Sequence, residues 1–134
     1  MKLHITPGSP YARIARIVVI EKQLEDRVEI VFPLTRTKDS PYYRINPSGR
    51  VPYLERDDGP GLEDSAVICR YLDHLDGNPS FDLPTGAPLW EALRLGARAI
   101  SFLDGLSVWL REERAPNPNN RPRPSITKPI APAA

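Results

Sequence analysis

Cysteine is nearly absent: Cys69 is the single thiol in 134 residues. One cysteine excludes an intramolecular disulfide and fits a reducing compartment. Histidine is almost as scarce, and neither His4 nor His74 has neighbours at ligand spacing, so no metal site is expected. Charge of one sign is lacking too. The net charge is +1, and no basic stripe interleaves with aromatics, which argues against a nucleic-acid binder. No apolar run approaches the roughly 20 residues a membrane span needs. Pro7, Gly8, Pro10, Arg13 and Arg16 interrupt any apolar core near the start, so the first residues do not read as a signal peptide. The expectation is a soluble, cytoplasmic protein with no nucleic-acid or membrane partner. Proline, by contrast, is abundant and uneven, with six of 16 falling between Pro116 and Pro132.

Periodicity organises the rest. Leu3 and Ile5 alternate with Lys2, His4 and Thr6, the period of a strand. Pro10 suits the first turn of a helix, where its missing N–H costs little. Ile14, Ile17, Val18 and Leu24 then recur at helical spacing, predicting a helix from Pro10 to about Leu24. Val28–Phe32 reads as a second strand and Val51–Arg56 as a third, with a helical turn at Tyr42-Tyr43-Arg44 between them. Asp57-Asp58-Gly59 is a tight-turn signal, and Gly61-Leu62-Glu63 follows as a brief fourth strand. Ala66, Val67, Cys69, Tyr71, Leu72 and Leu75 make a further helix, which Gly77 closes. The order is β-α-β-α-β-β-α. A right-handed crossover makes the first two strands parallel, and the Asp58-Gly59 turn makes the last two antiparallel.

Residues 78–87 read as a linker, with Pro79, Pro84 and Gly86. A long helix is expected over 88–115, with Leu89, Leu93, Ala97, Ile100 and Leu103 on one stripe and Gly96 and Gly105 weakening it by roughly 1 kcal/mol each unless they pack closely. Residues 116–134 carry repeated prolines, three basic residues and no acids, the composition of a disordered tail.

The most informative stretch is Asn46-Pro47-Ser48-Gly49-Arg50-Val51-Pro52-Tyr53-Leu54, a turn signal feeding a short apolar strand with proline near its start. Proline is normally kept out of strand interiors, so this one points to a special peptide geometry, the cis form. With Ser9-Pro10-Tyr11 before it and Glu63-Asp64-Ser65 after it, the run resembles the N-terminal thioredoxin-like domain of the glutathione S-transferases. The resemblance implies an α/β, thioredoxin-like fold with a mixed four-stranded sheet over residues 1–77, followed by the long helix as the start of the family's all-helical second domain. It also implies a homodimer, a detoxifying role, and glutathione as co-substrate beside a small electrophile.

By the same resemblance, Ser9 is the catalytic donor. A thiol with a pKa near ~8.5 is only a few per cent ionised at neutral pH, and a hydroxyl donor beside a helix N-terminus favours the thiolate. Ser65 and its N–H would take the γ-glutamyl carboxylate, Asp64 the amino group, the Val51 backbone the cysteinyl amide with Pro52 in cis, and Arg50 a carboxylate. Serine where a glutaredoxin has cysteine points away from disulfide exchange. Each residue also has a plainer role. Ser9 and Ser65 suit helix N-caps, Asp64 suits the helix dipole, and Pro52 suits an edge strand. Thr6 and Tyr11 are reserve hydroxyls, with Tyr11 expected to pack inward. Cys69, Trp90 and Trp109 read as packing residues, and Glu112-Glu113 as solvated.

The resemblance fades after Arg114, where family members continue with several more helices. A lone amphipathic helix cannot bury its own stripe, so this one is expected to lie against the first domain, meet a second copy or stay partly exposed, and an exposed stripe invites association. Loss of the wall that positions the electrophile impairs activity more than binding. The alternative to a transferase is a non-catalytic glutathione-binding or protein-interaction module.

Overall fold

A computed structural model describes residues 1–114; the expected proline-rich tail at 116–134 lies outside the described residues. Seven elements follow in chain order: β1 Lys2–His4, α1 Pro10–Glu21, β2 Glu29–Val31, α2 Tyr42–Ile45, β3 Tyr53–Glu55, α3 Ser65–His74 and α4 Ala87–Arg114. β1 is the central strand. It runs parallel to β2, with Leu3 opposite Ile30, and antiparallel to β3, with Leu3 opposite Leu54. The α1 crossover lets β1 and β2 run parallel, as a hairpin could not.

The sheet has three strands, where the sequence predicts four. Leu62 exchanges both backbone hydrogen bonds with Leu54, at 3.0 and 2.9 Å, but forms only an isolated bridge. The pairing stops there because Asp64, at φ 70°, already turns the chain into α3.

Alternation along β1 splits its side chains between two environments. Leu3, with Leu54 beside it, faces Ala12, Ala15, Val19, Ile68 and Leu72, and this cluster is the core. Small alanines at Ala12 and Ala15 bring α1 close, so Ala12, Ala15, Val18 and Val19 form the buried face while Ile17, expected on it, is half exposed. Leu24 is buried beyond the helix end, its N–H bonded to the Val19 carbonyl at 2.9 Å. His4, expected on the polar side of the strand, is instead buried under the rings of Tyr42 and Tyr53, at 5.3 and 6.1 Å. Its Nε2 lies 2.6 Å from Glu55 Oε1.

Lys22, at the C-terminus of α1, fastens the chain after α3. Its ammonium pairs with Asp76 at 3.0 Å and Asp73 at 3.4 Å and donates to the Asn78 carbonyl at 2.5 Å. Asp73, itself buried, accepts from the N–H groups of Ser80 and Phe81 at 2.8 and 2.9 Å. Desolvation opposes the Lys22 charge, but the two carboxylates outweigh it and raise the pKa.

From this fastened segment the chain enters α4. Much of the helix is solvated: Trp90 in its first turn is 73% exposed and Phe102, past its middle, 69%. The stripe expected to meet the body therefore does not seal it, and Leu93 and Ile100 remain about 40% exposed. A Cβ at Gly96 or Gly105 would meet open space, so close packing does not explain either glycine. The helix reaches the body through its second half, where the Tyr11 hydroxyl donates to Asp104 Oδ1.

Candidate functional site

The starts of α1 and α3, the loop before β3 and the second half of α4 surround one cleft of about 870 Å³. Ser9, Arg50, Val51, Pro52, Asp64 and Ser65 all line it. Two helix N-termini therefore open into one space, each with N–H groups that lack intrahelical partners.

Ser9 is the N-cap of α1. Its backbone is extended, at φ −90° and ψ 116°, and its Oγ accepts from the Ala12 N–H at 3.2 Å. Capping uses only a lone pair of the oxygen. The hydroxyl proton remains free to be donated, so the plain role and the functional role are compatible.

The loop before β3 is shaped by Asn46, which reads as a turn residue in the sequence but is fully buried. Its Nδ2 donates to the Arg50 carbonyl at 3.0 Å, its Oδ1 accepts from the Ser48 N–H at 3.0 Å, and Tyr42 Oη donates to the same Arg50 carbonyl at 2.6 Å. Gly49 turns at φ +65°, where a Cβ would come within 2.6 Å of Tyr43 Cε1. The Val51–Pro52 peptide is cis. Val51 lies outside the β ladder, and neither its N–H nor its C=O has a hydrogen-bond partner among the described residues. Arg50 is exposed beside it, with no ion pair among the described residues.

At α3 the structure divides the roles differently from the capping preference. Asp64, not Ser65, is the N-cap: its Oδ1 accepts from Ala66 N–H at 2.8 Å and Val67 N–H at 3.3 Å. Ser65 is the first helical residue and is 7% exposed, with no hydrogen bond from its hydroxyl to any described residue. Both intramolecular bonds of Asp64 use one oxygen, which leaves Oδ2 unengaged.

The sequence reading missed the contribution of α4. Ile100, Asp104, Ser107, Leu110 and Arg111 line the cleft. Their spacing of three and four places them on one face, a signal present in the sequence but hidden by its mixed polarity. Tyr11 does not pack inward as expected; it faces this helix, and the hydrogen bond to Asp104, with some desolvation, raises its pKa. A phenol already committed to a carboxylate is a poor reserve donor. Glu63 and Arg36 also line the cleft, Arg36 from a left-handed loop position at φ 60°.

Residues outside the cleft behave otherwise. Burial, followed by the nearby Asp64 charge, pushes the Cys69 thiol up to about 11, which keeps it protonated at neutral pH. His74 does acquire neighbours that sequence spacing conceals. Its Nε2 lies 2.7 Å from Asp82 Oδ1, and one ligand atom each from Asp73, His74 and Asp82 fall within 4.8 Å of one another. Both Asp73 oxygens are already engaged by Ser80, Phe81 and Lys22. Glu112 and Glu113 are exposed, as expected, whereas Trp109 is 44% exposed and Trp90 more so.

Comparison with known proteins bears on this arrangement. Residues 8–75 match the family model described as glutathione S-transferase, N-terminal domain. The chain is 32% identical over 113 residues to glutathione S-transferase 2 of Saccharomyces cerevisiae, covering 81% of this chain and 48% of that protein. A glutathione S-transferase of Methylobacillus flagellatus, solved with glutathione bound, superposes with a TM-score of 0.71 at 32% identity, over 87% of this chain and 56% of that one. A glutathione transferase family member of Pseudomonas fluorescens, also with bound glutathione, gives 0.73 at 28% identity, over 89% and 59%. The chain spans about half the length of these relatives. Among the described residues no helix is long and apolar enough to cross a membrane. The family model covers half of the chain and coincides with the thioredoxin-like unit that builds the cleft, so the chain belongs to the glutathione S-transferase family.

Proposed function

We propose that the chain binds glutathione in this cleft, ionises its thiol, and joins the sulfur to a small electrophile. The observation that carries the reading is the convergence of Ser9, the Val51–Pro52 edge and the Asp64-Ser65 helix start on one cleft. The solved relatives with glutathione bound support the choice of ligand.

Each part of the tripeptide meets suitable chemistry. The γ-glutamyl carboxylate lies at the α3 N-terminus, on the Ser65 N–H and hydroxyl. The ammonium pairs with Asp64 Oδ2, which the cap does not use. The cysteinyl amide bonds the free Val51 backbone in the manner of an added strand. Arg50 takes the terminal carboxylate. The sulfur then sits at the α1 N-terminus, where the Ser9 hydroxyl donates to the thiolate and its own oxygen is held by Ala12 N–H. A depression of the thiol pKa by about two units corresponds to ~3 kcal/mol of preference for the ionised form. The thiol proton leaves to solvent. The sulfur lone pair forms the C–S bond, and the electron pair departs with a leaving group or ends on a carbon that solvent protonates.

Conjugation of glutathione to a reactive aryl halide tests this. Wild type is expected to turn over, and Ser9→Ala to lose about tenfold or more, the scale of one lost donor to a developing anion. Equal rates in the two proteins remove the role given to Ser9. A second reading, a glutathione-binding or interaction module without turnover that pairs with a second copy, is favoured by the exposed Trp90, Phe102 and Val108 of α4. Retention on immobilised glutathione without conjugation is its signature.

A further inference from the structure

The second half of α4 carries a cluster that glutathione, as placed above, does not use. Ile100 and Leu110 offer apolar surface to the cleft, and Arg111 lies beside them. Arg111 Nε donates to the Ser107 carbonyl at 2.9 Å, which folds the side chain back along the helix and fixes the guanidinium plane. Its two terminal amino groups have no hydrogen-bond or ion-pair partner among the described residues. Asp104, two turns earlier on the same face, accepts from the Tyr11 hydroxyl through Oδ1. The Ser107 hydroxyl oxygen is buried and lies toward the Tyr11 hydroxyl, whose pKa it acts to lower against the larger effect of Asp104. One wall of the cleft thus holds an apolar strip ending in an oriented cation with four free N–H donors.

We infer that this wall selects electrophiles with a short apolar body and a terminal carboxylate, gripped by Arg111. The inference rests on the glutathione reading above. A planar guanidinium presents paired donors in the geometry of a carboxylate, which a neutral electrophile cannot use. The apolar body covers Ile100 and Leu110. Were Arg111 simply solvated, the subsite would not distinguish a charged from an uncharged co-substrate.

Product analogues test this without requiring turnover. Binding of S-(4-carboxybenzyl)glutathione, S-(4-methylbenzyl)glutathione and glutathione itself is measured by calorimetry on the full chain. Wild type is expected to hold the carboxylated conjugate about fivefold more tightly than the methyl one, as for a partly solvated charge-assisted pair. Arg111→Gln brings the ratio close to one, and Arg111→Lys keeps part of it. Equal affinities in wild type, or an undiminished ratio in Arg111→Gln, overturn the inference while glutathione binding stands. Failure of wild type to bind any of the three overturns the glutathione reading and this inference with it. Lowering the ionic strength should widen the ratio in wild type and leave it unchanged in Arg111→Gln.

Discussion

Replacing Asp64 separates its structural work from its proposed work on a ligand. The residue caps α3 through two hydrogen bonds, at 2.8 and 3.3 Å, and does so at φ 70° and ψ 126°. Alanine loses the cap, which costs about 1 kcal/mol. The strain of a Cβ at positive φ is common to aspartate and alanine and cancels in the comparison. Asp64→Ala is therefore expected to lose about 1 kcal/mol, a fall in Tm on the order of 3–8 °C for a domain of this size. Asparagine keeps the oxygen acceptor and tolerates the backbone, so Asp64→Asn should unfold within about 0.5 kcal/mol of wild type. Glycine relieves the backbone but not the cap and should fall between the two. Ligand binding should rank differently. Asp64→Asn, though stable, loses the charge that faces the glutathione ammonium and should bind glutathione about tenfold more weakly, the loss of a charge-assisted hydrogen bond. Thermal unfolding by circular dichroism and calorimetric titration read the two scales. Alanine and asparagine variants of equal stability would refute the capping account. An asparagine variant that binds like wild type would refute the role toward the ammonium.

Two further outcomes follow from the ionisable groups. Asp73 and Asp76 both have depressed pKa values: desolvation of Asp73 is outweighed by the Ser80 and Phe81 N–H groups and Lys22, and Asp76 is lowered by Asn78 N–H and then Lys22. A carboxyl whose folded pKa lies below its unfolded value stabilises the fold above the unfolded pKa, near 3.8, and that stabilisation fades as pH falls through the folded value. Hydrogen exchange at residues 78–81 should therefore accelerate below about pH 4 more than in the core at Leu54; parallel acceleration would sink the idea that Lys22 and its acids fasten this segment. Cys69, with its thiol raised to about 11, should resist alkylation at pH 7.5 in the native protein and react readily once unfolded. Rapid native labelling would contradict its partial burial and raised pKa.

Much of the arrangement around the cleft is legible in the chain because it is encoded locally. Ser9-Pro10 is a cap followed by a residue suited to the first helical turn, and α1 begins there. The proline after Val51 and the turn before it mark an edge that leaves the ladder, and the cis peptide sits at that point. What was not legible depends on contacts between distant segments. A fourth strand at Gly61-Leu62-Glu63 has the right composition, but the bend at Asp64 leaves room for a single bridge. Asp64 rather than Ser65 takes the cap because the chain enters α3 at positive φ, and that choice between adjacent capping residues is set by the approach of Leu62 to Leu54. His4 looks like the wet side of a strand until Tyr42 and Tyr53 cover it. The face of α4 that meets the cleft mixes Ile100 with Asp104, Ser107 and Arg111, so a search for apolar periodicity selects a stripe that shares only Ile100 with it and stays largely exposed. The His74–Asp82 contact needs the segment after α3 to fold back, which Lys22 brings about from α1.

The account stands most directly on the acidity of glutathione in the cleft. Ultraviolet titration of thiolate absorbance, with the protein saturated by glutathione and with Ser9→Ala beside it, reads that acidity. The expected midpoint lies near pH 6.5, about two units below the free thiol, and returns most of the way in the alanine variant. A bound thiol that ionises at the same pH as free glutathione would contradict the account.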